Sequence, residues 1–92
     1  MSYSGNGRWT ISTAGAQESH LVTTLKSTTK DYLTCIVGAG LELDIEISPD
    51  NSTWVTVASL GGSNSLATDV YVSEGYRIRP NATTGTGSFF AK

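Results

Sequence analysis

Few residues in this chain have side chains capable of chemistry. His20 and Cys35 each occur once in 92 residues. Brought together by a fold, such a pair can form a thiolate–imidazole nucleophile. Cys35, however, stands between Thr34 and Ile36 in an apolar run, where cysteine behaves as a small buried hydrophobe. One His and one Cys also fall short of a structural zinc site, which takes four such ligands. Asp50 and Asn51 carry oxygens that calcium accepts, but the ligand spacing of an EF-hand loop is absent. Three carboxylates, Glu42, Asp44 and Glu46, alternate along one stretch. On a strand, neighbours at i and i+2 lie about 6.5–7 Å apart, near the spacing of glycosidase carboxylates. A glycosidase needs a cleft as well, which a single small sandwich hardly provides. These residues specify no catalytic, cofactor-binding or metal site, and the expectation is a protein that is not an enzyme.

Those side chains sit on a framework whose class the composition narrows. Charged residues make up 15% of the chain, against about 25% in a typical soluble domain. Small residues take their place: 13 Thr, 12 Ser and 10 Gly. A helical bundle would need Ala, Glu, Lys and Leu in quantity. Six basic residues against eight acidic ones cannot build a broad phosphate-binding surface, so no nucleic-acid partner is expected. The longest apolar run, Cys35-Ile36-Val37-Gly38-Ala39-Gly40-Leu41, is too short and too small-sided to span a membrane. The first eight residues lack the apolar region of a secretory signal. A single cysteine excludes an internal disulfide. Production in a reducing host cytoplasm is therefore expected.

Strand signals dominate. In Leu41-Glu42-Leu43-Asp44-Ile45-Glu46-Ile47, apolar and acidic residues alternate. A period of two sends Leu41, Leu43, Ile45 and Ile47 to a core and the carboxylates to the other face. Ser48-Pro49-Asp50-Asn51-Ser52 then reads as a turn. The β-branched run Thr53-Trp54-Val55-Thr56-Val57-Ala58-Ser59-Leu60 returns as the second strand of a hairpin. Further strands are expected over 8–12, 20–25, 32–37, 65–72, 76–80 and 86–91, with a flexible connection over 13–17, a polar turn over 26–30 and a loop over 81–85. No window carries a helical apolar period. The sum is about eight short strands in an antiparallel β-sandwich or small barrel, a single domain over 9–92 preceded by an extended N-terminal arm over 1–8.

Two stretches belong together: Ile47-Ser48-Pro49-Asp50-Asn51-Ser52-Thr53-Trp54, and Val72-Ser73-Glu74-Gly75-Tyr76-Arg77-Ile78-Arg79 followed by Thr83-Thr84-Gly85-Thr86-Gly87. In combination they resemble small β-sandwich proteins encoded among the structural genes of tailed bacteriophages. Among these, a short free-standing chain is most similar to the capsid decoration, or cement, proteins. The resemblance covers roughly residues 41–92 and carries no catalytic residue or cofactor. It implies a virion structural protein on the capsid exterior, bound to the major capsid protein and bridging coat subunits as a homotrimer or homodimer.

Interface candidates follow from residue type. Tyr3, Arg8 and Trp9 would anchor the arm, being types favoured at hot spots. Removing 1–8 would then weaken attachment and leave the fold intact. Glu42, Asp44 and Glu46 form an acidic stripe that Arg77 and Arg79 can meet, within one chain or across a subunit boundary. The alternative reading is a carbohydrate- or receptor-binding module of a tail or fibre, using exposed rings among Trp9, Trp54, Tyr3, Tyr32, Tyr71 and Tyr76.

Overall fold

The computed structural model describes residues 2–25 and 31–92. It is an antiparallel β-sandwich of two sheets. The strands are β1 (Tyr3–Gly5), β2 (Arg8–Ile11), β3 (Gly15–Ala16), β4 (His20–Leu21), β5 (Tyr32–Val37), β6 (Glu42–Ser48), β7 (Val55–Leu60), β8 (Ala67–Tyr71), β9 (Arg77–Thr84) and β10 (Gly87–Ala91), with one helical turn, α1 (Val22–Leu25), after β4. The first sheet has the order β1-β2-β10-β5-β8. The second runs β3-β9-β6-β7, and β4 shares the outer side of β9 with β3.

The core lies between the sheets because the alternation is obeyed on both. Trp9, Ile11, Leu33, Cys35, Val37, Phe89 and Ala91 point inward from the first sheet, and Leu43, Ile45, Leu60, Ile78 and Ala82 from the second. Burying each larger side chain contributes about 1.5–3 kcal/mol before entropy is charged against it. Leu41 is buried as expected, while Ile47 is only partly buried against the core. Outward on β6, Glu42, Asp44 and Glu46 share the solvent face.

Four segments differ from expectation. The segment over 1–8 is extended but not detached, since Tyr3–Gly5 pairs with β2. Its aromatic side chain packs edge-on to Trp9, with ring centroids 4.7 Å apart. Residues 13–17 contribute a short strand, Gly15–Ala16, on β9. The strand expected over 20–25 ends at Leu21 and coils into α1, which turns the buried Val22 into the core while its N–H donates to the Tyr76 carbonyl at 2.9 Å. The loop expected over 81–85 is mostly strand, because β9 runs on to Thr84 against β6. The polar turn expected over 26–30 lies outside the described residues.

Pro80 stands inside β9, a strand flanked on both sides. Proline lacks the N–H that a central strand normally donates. Its carbonyl accepts from the Gln17 N–H at 2.9 Å, so the missing donor points toward the same side. There the neighbouring ladder is interrupted between β3 and β4, and no bond is forfeited.

Candidate functional site

The eight interface candidates divide between two places. Tyr3, Arg8 and Trp9 lie at the N-terminal hairpin. Trp9 is fully buried and has no surface to offer a partner. Its indole N–H donates to the Glu18 carbonyl at 2.8 Å. Tyr3 stacks on His20 at 3.4 Å between centroids, its backbone N–H donates to Glu18 Oε1 at 2.7 Å, and its hydroxyl accepts from the Gly7 N–H at 2.9 Å. Tyr3 and Trp9 therefore hold the hairpin to the body. Burial lowers the His20 pKa from its ordinary value, with Arg77 acting in the same direction and Glu18 opposing both. Arg8 alone of the three is exposed, its guanidinium 5.7 Å from the centre of the Phe90 ring.

The other five candidates lie on the outer face of the second sheet, where β6 and β9 are adjacent. The register sets Glu46 opposite Arg79, Asp44 opposite Asn81 and Ser48 opposite Arg77. Arg79 Nε donates to Glu46 Oε1 at 2.7 Å, and Asn81 Nδ2 to Glu46 Oε2 at 3.1 Å. The Arg79 guanidinium lies 3.9 Å over the Trp54 ring. Trp54 is thus half-buried beneath an arginine rather than plugging the core. Ser59 Oγ donates to Asp44 Oδ1 at 2.6 Å. Arg77 Nε donates to Ser19 Oγ at 2.9 Å. The acidic and basic stripes meet within one chain, and their charges are largely engaged there. Glu42 packs beside Gly62 at the end of the stripe.

The residues considered for catalysis are placed apart. Cys35 is buried on the core side of β5, its thiol 3.7 Å from the Leu33 carbonyl oxygen. His20 belongs to β4, in the other sheet. Among the described residues, no cluster of three or more His, Cys, Asp or Glu could hold a metal ion. Among the described residues, no helix is long and apolar enough to cross a membrane. One depression, about 450 Å³, is an open trough bounded by Ser2, Thr10, Ser12, Thr13, Ala16, Gln17 and Glu18.

A different surface has the character of a contact site. On the outer face of the first sheet, Arg8 pairs with Phe90, Phe90 with Ile36, and Ile36 with Ala67. These cross-strand partners form one row over four strands. Beside it, Thr34 pairs with Asp69 and Tyr32 with Tyr71. Ile36 is 45% and Tyr71 73% exposed. Tyr32 and Tyr71 meet edge to face, with centroids 6.1 Å apart. Of this row only Arg8 is among the candidates read from the sequence. Its signal was available: placing Cys35 inward on β5 obliges Ile36 to face solvent.

A second exposed feature is β7. Among the described residues it pairs only with β6 and forms an edge of its sheet. It carries no charge and no proline, and Val55 and Val57 are exposed. Residues 56 and 58 oppose Glu46 and Ile45, so Val57 bulges out of the ladder. A bulge is one of the devices that keep an edge from pairing with other chains.

No family model matches the chain, and no curated protein or solved structure was found to match it.

Proposed function

We propose that this chain is a non-enzymatic virion structural protein that works by surface contact, binding the outside of a phage capsid and stabilising it by bridging coat subunits. The observation that carries this reading is the apolar row Phe90–Ile36–Ala67 on the open side of the first sheet, bordered by Tyr71 and by single charges. An exposed apolar patch with a polar rim is the usual mark of a protein contact. Bridging needs a second surface, and the exposed side chains of Val55 and Val57 on β7 offer one by apolar contact instead of strand pairing. The capsid itself enters through the resemblance of residues 41–92 to decoration proteins. Repetition around a shell adds avidity to modest individual contacts. Whatever binds the assembled shell preferentially raises its resistance to rupture. The chain would be made in the host cytoplasm and join the particle there.

A tail-borne carbohydrate-binding module is the second reading, supported by the exposed Tyr71 beside Tyr32. Their interplanar angle of 64° offers a sugar no flat two-ring platform, which favours the first reading. Electron microscopy of intact particles decides between them. The expected result is density for this chain on the head exterior. Density on the tail, or particles without the chain, overturns the proposal.

A further inference from the structure

The open face of the first sheet has a charge pattern that names its occupant. Arg8 lies at one end of the apolar row, on β2, and Asp69 lies on β8, at the opposite edge of the four strands. Both side chains are exposed. Among the described residues neither has an ion-pair partner. Within the chain, Arg8 faces the Phe90 ring and Asp69 accepts a hydrogen bond from the Thr34 hydroxyl at 3.0 Å. Adjacent strands are about 4.8 Å apart, so the two charges are separated by roughly 15 Å across the sheet, too far to pair with each other.

We propose that this face binds a second copy of the chain about a two-fold axis that lies in the plane of contact and runs parallel to the strands, between Phe90 and Ile36. This rests on the reading of the face as a contact surface and adds the identity of the partner. A two-fold interface must be self-complementary. Rotation about this axis lays Phe90 on the second copy's Ile36, and Ile36 on the second copy's Phe90. It also brings Arg8 over the second copy's Ala67, whose small side chain leaves room for the guanidinium to reach the adjacent Asp69. Two symmetric Arg–Asp pairs then close over a shared apolar centre. The other two-fold, with its axis along the row instead of along the strands, would set Arg8 against Arg8, at a cost that fixes orientation. The whole molecule measures 31 × 25 × 23 Å, so any one face is smaller in projection than the about 800 Å² per partner of a standard interface. The dimer is accordingly reversible and weak in free solution, and strengthened when copies are held side by side on a lattice.

Sedimentation equilibrium on the purified chain, without particles, tests this. The wild-type protein should form a reversible dimer below about 1 mM, weakened by salt. Arg8→Glu and Asp69→Arg should each raise the dissociation constant about tenfold or more, and the double exchange Arg8→Glu/Asp69→Arg should restore it. Circular dichroism of each variant establishes that it is folded. A wild-type chain that stays monomeric, or a dimer indifferent to both single exchanges, overturns the proposal. A monomer that still decorates heads would overturn the dimer alone and leave the capsid reading standing.

Discussion

Asp50 shows how much a single side chain organises here. Its Oδ1 accepts from the Thr53 and Ser52 N–H groups at 2.8 and 2.9 Å and from the Ser48 hydroxyl at 3.0 Å. These bonds favour the ionised form, the Thr53 N–H most and the Ser52 N–H next, and hold the Asp50 pKa at about 2. Asn51 beside it adopts a positive φ of 63°, which Asn tolerates better than most residues. The hairpin turn read from Ser-Pro-Asp-Asn-Ser is thus held by the carboxylate. A carboxyl whose folded pKa lies below its unfolded value contributes stability above the unfolded value and loses it as pH falls through the folded one. Asp50→Asn should therefore lower the melting temperature at pH 7, and the difference from wild type should shrink between pH 4 and pH 2. Thermal unfolding followed by circular dichroism across that range measures it. A difference independent of pH would show that the charge of Asp50 is not what organises the turn.

Among the elements, the strands with an unbroken period were legible and those made by partners were not. β6 is readable from Leu41 to Ile47 because every second residue is apolar. The outward placement of Arg77 and Arg79 and the inward one of Ile78 follow in the same way. β9 beyond Pro80 was hidden, since Pro80 and Asn81 are turn residues by type. What makes 81–84 a strand is the partner β6 and the gap in the neighbouring ladder that excuses the proline. β1 was hidden for a similar reason. Ser, Gly and Asn have no strand preference of their own, and Tyr3 finds order only because Trp9 and His20 wait for its ring. Five of the interface candidates, Glu42, Asp44, Glu46, Arg77 and Arg79, lie on the sheet face expected of them, yet Glu46 and Arg79 satisfy each other. Apart from Arg8, the row on the first sheet is not legible as one surface because it is assembled from four strands distant in sequence.

The N-terminal hairpin yields a prediction at this scale. Removing residues 2–5 takes away the edge strand, the ring against Trp9, and the Thr10 N–H bond to the Ser2 carbonyl at 2.6 Å. Tyr3 is only partly buried, so its loss costs less than the about 3–5 kcal/mol of a fully buried aromatic, yet still a large part of the stability of so small a domain. The truncated chain should unfold at markedly lower urea concentration, with Trp9 fluorescence shifted to the red. An unchanged midpoint would mean that the segment is an arm after all. The connection after β9 is set as firmly: at Gly85, with φ of 89°, an added Cβ would collide with the Gly40 carbonyl oxygen.

For the whole molecule, the sandwich divides its surfaces by charge use. The second sheet spends Glu46, Arg79, Asn81 and Trp54 on one another. The first sheet leaves Arg8 and Asp69 without ion-pair partners among the described residues, around an apolar row. A rigid block with one self-contained face and one open face suits a part that assembles. Titrating the purified chain onto phage head shells that lack it, and counting bound copies by co-sedimentation, tests this most directly. The account predicts saturation at a fixed ratio of chain to coat subunit, with decorated shells rupturing at a higher temperature than bare ones. A chain that remains in the supernatant at every concentration, with shell rupture unchanged, would contradict it.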